Sequence, residues 1–174
     1  TMYQLAYYLD ELDTLMQDAV FENYIIASPD ADNFSLWGTT PDFDGPAVVL
    51  ELKSIIEAGI NYSGKTFVIG HSNGGAGAIN LAFTQGSHFK AAAAISPTIS
   101  AWSPFNYDVN EIGQFVKNYA PTYSEVFCTG VLEKIARTFG TQSAWDAFDP
   151  YMHLKNNKLT IPLAIYSGLK DDLG

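Results

Sequence analysis

A serine flanked by glycines is the feature of this sequence with the clearest chemistry. The run Gly70-His71-Ser72-Asn73-Gly74 has the spacing G-x-S-x-G, which is typical of a nucleophile at a sharp turn between a strand and a helix. Such a turn exposes the serine hydroxyl, and we expect it to leave no room for side chains at the two glycine positions. The spacing therefore predicts that Ser72 is the nucleophile of an acyl-transfer reaction. The alternative is a glycine-rich turn in which the serine only caps a helix.

The residues around this motif favour the first interpretation. Residues 66–69 form a short apolar run rich in β-formers, which predicts a buried strand. Residues 74–83 combine small side chains with Ile79 and Leu81, as expected of a helix packed closely on a sheet. Strand, turn and helix thus follow one another in the order that the motif requires.

Helices and strands are predicted to alternate along the rest of the chain, which indicates an α/β fold with a mostly parallel sheet and helices on both faces. The predicted elements are a helix with Leu5, Leu9, Leu12 and Met16 on one face, a strand at 24–27, a loop at 30–46 anchored by Trp37 and Phe43, a helix at 47–58, and strands at 91–95 and 161–167.

We interpret residues 1–174 as a single, partial domain with a helical, aromatic-rich insertion at about 98–157. Helices are predicted near 109–119 and 124–139, and the insertion is expected over the carboxyl edge of the sheet. Most of its aromatic side chains are expected to form a small core of their own. Trp102 or Trp145 is a candidate to stack on an aryl group or a sugar ring.

Composition excludes several classes of function. The 174 residues carry a formal net charge of -10, which argues against nucleic acid and anionic membrane surfaces as partners. The sequence contains neither a signal peptide nor an apolar stretch of the roughly 20 residues that a membrane-spanning helix needs. The compartment stays open between cytoplasmic and secreted. Cys128 is the only cysteine, and the three histidines lack metal-ligand spacing, so neither a disulfide nor a metal is predicted.

Four blocks of the sequence resemble the putative-esterase family of the α/β-hydrolase superfamily, which includes esterase D, S-formylglutathione hydrolases and feruloyl esterases. The blocks are Gly70 to Ala78, similar to that family's GHSMGG segment, Ala91 to Pro97, Ile165 to Asp172, and Tyr24 to Asp32. Asn73 stands where most members carry methionine. The resemblance implies an α/β-hydrolase fold.

The same resemblance implies a catalytic triad and an oxyanion hole. Ser72 matches the nucleophile and Asp171 the acid, with Asp172 as the acid if the register shifts by one residue. The backbone N–H of Asn73 matches one donor of the oxyanion hole. The family chemistry needs no cofactor.

The histidine that this family places after the acid does not follow Asp171 in the sequence. His71 is expected to point away from the hydroxyl and to pack beneath the turn. His88 is expected in an exposed loop, while His153 is an alternative base in a different chain order. We therefore expect the histidine and the second oxyanion donor outside this chain. We also expect the fold to lack its first strands and its C-terminal strand here, as an internal portion of a longer polypeptide would.

These residues predict a serine carboxylic-ester hydrolase whose substrate is a small-molecule ester or thioester, with a short-chain, aryl or sugar group. Two alternatives remain at this point. One is an acyltransferase of the same family, and the other is a non-catalytic, hydrolase-like binding module that lacks its histidine. The aromatic side chains of the insertion also leave a homo-oligomer open.

Overall fold

The computed structural model describes residues 24–29, 34–100 and 102–168. Their elements, in chain order, are α1 (Gly45–Gly59), β1 (Phe67–His71), α2 (Asn73–Thr84), a 3₁₀ turn (Gly86–His88), β2 (Ala91–Ile95), α3 (Val109–Tyr119), α4 (Glu125–Phe139), α5 (Gln142–Phe148), α6 (Pro150–Asn156) and β3 (Leu163–Tyr166). The predicted helices at 47–58, 74–83, 109–119 and 124–139 are confirmed within two residues at each end. So are the predicted strands at 66–69, 91–95 and 161–167, but the burial predicted for the first of them is wrong, since Phe67 and Ile69 are exposed. The helix predicted on Leu5 to Met16 lies outside the described residues.

The three described strands form one parallel sheet in the order β1-β2-β3. Phe67 pairs with Ala91 and His71 with Ile95, while Ile95 also pairs with Tyr166. The carboxyl ends of all three strands therefore lie at one edge of the sheet, which is where α/β folds carry their sites. This parallel sheet and its helices agree with a truncated α/β-hydrolase fold, the predicted class, but among the described residues α2 covers one face of the sheet and helices on both faces are not found.

Small side chains allow α2 to pack against one face of this sheet. Ala92 and Ala94 are buried on β2, and α2 buries an unbroken run from Gly75 to Ala82. On the opposite face, Phe67, Ile69 and Tyr166 remain exposed among the described residues. Among the described helices, α2 therefore makes the most extensive contacts with the sheet, on both β1 and β2.

The strand predicted at 24–27 is wrong. These residues have no regular secondary structure, and Tyr24, Ile25 and Ile26 are each exposed by 43% or more. The physical reason is that a strand needs a partner for its backbone hydrogen bonds. No described strand lies beside the outer edge of β1 to supply one.

Four of the described helices lie in the insertion. The helices α3 and α4 were predicted, whereas α5 and α6 were not. Phe139, Trp145 and Phe148 form a buried cluster with Ala76 of α2 and with Leu36 of the preceding loop. Nearer the other end of α2, α6 packs beside it. The insertion therefore extends along α2 and does not lie only over the carboxyl edge of the sheet.

The loop before α1 is held by the anchors that the sequence predicted. The rings of Trp37 and Phe43 meet edge to face, with centroids 5.9 Å apart. Trp37 also lies against Gly77, since a Cβ added to Gly77 would stand 2.4 Å from the Cβ of Trp37. Within the described part of the chain, none of the helices combines the length and apolar character needed to cross a membrane.

Candidate active site

Ser72 occupies the turn between β1 and α2 in a backbone conformation that residues with a Cβ rarely adopt. Its φ is 54° and its ψ is -117°. Such a conformation costs of order 1–3 kcal/mol and persists only where the surrounding structure imposes it. Because the residue is also exposed, its hydroxyl lies at the surface of a tight strand-to-helix turn.

The hydroxyl of Ser72 is not used to cap α2. In each of the other described α-helices, the side chain of the N-cap residue accepts a hydrogen bond from a backbone N–H, as Ser124 Oγ does from Phe127 N at 3.1 Å. Ser72 stands at the same position of α2 and makes no such bond. The alternative of an ordinary capping serine is therefore contradicted.

The two glycines of the motif differ in why the turn requires them. A Cβ on Gly70 would stand 1.9 Å from the carbonyl oxygen of Gly74, so no side chain fits there. A Cβ on Gly74 would meet no described atom within 4 Å. The expectation of no room at both glycines is thus confirmed for Gly70 and wrong for Gly74, where the added Cβ would enter open space.

The segment after β2 fixes the turn from the side. Ser72 N donates to Ile95 O at 3.0 Å, and Ser72 O accepts from Thr98 N at 3.1 Å. Pro97 lies so close to α2 that a Cβ on Gly75 would stand 2.9 Å from its Cα. Ser96 has a φ of 40°, which bends the chain away from the line of β2.

Asn73 begins α2 directly after the serine. Its backbone N–H belongs to the first helical turn, where the donors point out of the helix terminus and the helix dipole favours negative charge. Its side-chain Oδ1 accepts a hydrogen bond from Thr98 Oγ1 at 3.0 Å. Sequence reasoning missed Thr98, because no local pattern marks a contact between residues 25 positions apart.

The structure brings Ser72 and Asn73 together but leaves the predicted acid undescribed. Asp171 and its alternative Asp172 lie outside the described residues. The strand that leads towards them, β3, ends at Tyr166, whose carbonyl oxygen accepts from Ser96 N at 2.7 Å. The described end of β3 therefore lies at the same edge of the sheet as the serine.

His153 is not placed to act on Ser72. Its ring stacks on Phe83 near the far end of α2, with centroids 5.3 Å apart, and α2 rises by about 16 Å between Ser72 and Phe83. Its Nε2 lies 3.2 Å from Ala147 O and its Nδ1 2.8 Å from Asn157 Nδ2. Burial lowers the pKa of His153, opposed by the Ala147 carbonyl and the Asp149 carboxylate. The alternative that made His153 the base is therefore wrong.

The other two histidines are exposed, as predicted for His88, which lies in the 3₁₀ turn beyond the end of α2. His71 ends β1 directly before the serine, and its exposure shows that the expectation of packing beneath the turn is wrong. A cavity of about 440 Å³ also lies away from Ser72, between α1, the second half of α2 and α5, with Leu50, Asn80 and Phe148 in its wall. It is not part of the candidate active site.

The aromatic candidates for substrate stacking differ in their surroundings. Trp145 is 3% exposed and packs edge to face on Phe139, so the prediction that its ring is open to a substrate is wrong. Trp102 is partly exposed and meets Phe115 edge to face at 5.1 Å. It lies four positions after Thr98, so chain reach alone places it within about 14 Å of Thr98, whose backbone N–H donates to Ser72 O.

Comparison with known proteins gives the class to which this arrangement belongs. The family described as "Putative esterase" matches residues 38–174, which includes the turn, the sheet and the insertion. The chain belongs to this family, and its membership supports hydrolase activity on esters in general. No curated protein matches the chain.

Proposed function

We propose that this protein is a serine carboxylic-ester hydrolase that forms an acyl-enzyme on Ser72. The observation that carries the proposal is the conformation of Ser72, which is strained, exposed and not engaged in capping the helix that it begins. Strained backbone conformations of this kind cluster at active sites, and Ser72 combines one with an exposed side chain.

In the proposed reaction, Ser72 Oγ attacks the acyl carbon of the ester and transfers its proton to an imidazole. The carbonyl oxygen becomes negatively charged and is stabilised by the N–H of Asn73 at the N-terminus of α2. The alcohol leaves with the proton held by the imidazole, and water then attacks the acyl-enzyme in the same way to release the acid. Asp171 is proposed to orient the imidazole.

The imidazole is proposed to be neither that of His153 nor that of His88. His153 and His88 lie near the far end of α2, and the family resemblance implies a histidine that follows the acid in chain order.

The substrate is proposed to be a small carboxylic ester or thioester with a short-chain, aryl or sugar group. Of the two tryptophans considered, only Trp102 keeps part of its ring accessible, and it is joined to the turn through the short segment after Thr98. We therefore propose Trp102 as the residue that would contact a ring in the substrate.

The test is hydrolysis of p-nitrophenyl acetate by the full-length protein and by its Ser72→Ala variant. We expect the variant to lose at least about a thousandfold in kcat, as removal of an activated nucleophile does. A Ser63→Ala variant is the matched control, because Ser63 is an exposed serine in the loop before β1. Equal rates for wild type and Ser72→Ala would remove Ser72 from the mechanism.

A fluorophosphonate probe provides a second measurement that does not depend on the choice of ester. It labels serines whose hydroxyl is activated by a base, so we expect one label per chain, on Ser72. Wild-type protein that neither labels nor hydrolyses the ester would instead support the non-catalytic binding module.

A further inference from the structure

The peptide between Ser72 and Asn73 carries the proposed oxyanion donor, and the hydrogen bonds to its carbonyl oxygen fix its orientation. In a trans peptide the C=O and the N–H lie in one plane and point in opposite directions. Whatever fixes the carbonyl oxygen of Ser72 therefore also fixes the direction of the Asn73 N–H. That oxygen accepts from Ala76 N at 3.2 Å within α2 and from Thr98 N at 3.1 Å.

Thr98 also holds the side chain of Asn73. Its Oγ1 donates to Asn73 Oδ1 at 3.0 Å, in a partly buried position. Thr98 thus contacts both residues joined by this peptide, Ser72 through its backbone and Asn73 through its side chain. A hydroxyl is needed for the second bond, because the amide oxygen of Asn73 accepts only from a donor.

The peptide needs this support because the turn is strained. A φ of 54° at Ser72 is unfavourable for a residue with a Cβ. The simplest relaxation rotates the peptide about ψ of Ser72 and φ of Asn73, which would swing the N–H away from the acyl site. The close approach of Pro97 to Gly75, with an added Cβ 2.9 Å from Pro97 Cα, keeps Thr98 in place to oppose that rotation.

We propose that Thr98 is a positioning residue for the oxyanion hole, acting through its hydrogen bonds to Ser72 O and Asn73 Oδ1. This inference rests on the proposed function. The inference adds that the hydrogen bond from Thr98 Oγ1 to Asn73 Oδ1 helps to hold the peptide between Ser72 and Asn73. The effect is expected in the transition state, where the donor must meet the developing oxyanion.

The test is the Thr98→Val variant, which keeps the shape of the side chain and removes its hydroxyl. We expect kcat for p-nitrophenyl acetate to fall about three- to tenfold with KM within about twofold of wild type, because one hydrogen bond that acts in the transition state is lost. Thr98→Ser restores the hydroxyl and is expected to recover most of kcat. The matched control is Thr84→Val, since Thr84 Oγ1 donates to Asn80 O at 2.8 Å near the far end of the same helix.

An Asn73→Leu variant removes the acceptor of the same bond while keeping the backbone N–H. We expect it to reproduce the loss in kcat, and Thr98→Val in that background to add less than about twofold. Unchanged kcat in Thr98→Val, a change in KM alone, or a loss that Thr98→Ser does not recover would each overturn the inference. If Ser72→Ala is inactive in the same assay, the proposed function survives any of these results.

Discussion

Substitution of Gly70 by alanine tests the claim that the turn before α2 is too tight for a side chain. The added Cβ would stand 1.9 Å from Gly74 O and 2.2 Å from Gly74 C. Both atoms belong to the backbone, so no side chain can rotate to relieve the contact. The strand and the helix must separate instead.

The magnitude follows from that geometry. A separation from 1.9 Å to roughly 3.0 Å moves the first turn of α2 by about 1 Å, against the packing that buries residues 75–82. Overpacking of this kind costs about 3 kcal/mol. For a domain of this size, that predicts a decrease in Tm of roughly 6–12 °C. The same movement displaces Ser72, so ester hydrolysis is expected to fall by at least about a hundredfold.

The assay is thermal unfolding followed by circular dichroism, with Gly74→Ala as the matched control. It is the same substitution four residues away in the same motif. Its Cβ meets no described atom within 4 Å, and the position is helical. Alanine there is expected to raise the free energy of unfolding by about 0.4–1 kcal/mol, because it restricts the unfolded chain.

Two results would refute this reasoning. A Gly70→Ala protein with a Tm within about 2 °C of wild type would show that strand and helix do not need to approach so closely. A Gly74→Ala protein as unstable as Gly70→Ala would show that the space beside Gly74 is filled.

Three further predictions concern the turn, the core and pH. Ser72→Gly is expected to raise the free energy of unfolding by about 1 kcal/mol in urea denaturation while activity is lost, because glycine adopts a positive φ without strain; lower stability would contradict the strained turn. Phe139→Ala is expected to cost about 3–5 kcal/mol and Tyr119→Ala less than about 0.5 kcal/mol, since their exposures are 1% and 70%; similar losses would contradict the placement of the core. Burial lowers the pKa of His153 from its usual 6.5, so the unfolded chain binds a proton more readily than the folded protein. The free energy of unfolding should therefore decrease as pH falls below about 6.5. In urea titrations, His153→Gln should remove part of that decrease. Burial raises the pKa of Asp149, which is present in both proteins.

Strong local patterns allowed much of the fold to be predicted. The apolar runs at 66–69 and 91–95 and the small-residue run after Ser72 each predicted an element that the structure contains. Their signals are local, because a buried strand or an amphipathic helix must be apolar at fixed intervals wherever it packs. The helices α5 and α6 were missed because each has only seven residues, too few for a clear period.

The strand predicted at 24–27 shows the limit of such patterns. Its residues have the composition of a buried strand, yet they are exposed and irregular. A strand is stabilised by hydrogen bonds to its neighbours, and composition does not reveal whether a neighbour is present. Burial of Trp145 was missed for a related reason, because its contact with Phe139 depends on how α4 and α5 meet.

By itself, the sequence determined the strand, turn and helix around Ser72 and the family to which the chain belongs, since both follow from local residue patterns. Only the tertiary structure decided that the hydroxyl of Ser72 is not used for capping, that His153 lies near the far end of α2, and that Thr98 forms hydrogen bonds to both Ser72 and Asn73. The physical reason is distance along the chain. A turn is fixed by its own few residues, whereas the groups that support it come from segments that only folding brings together.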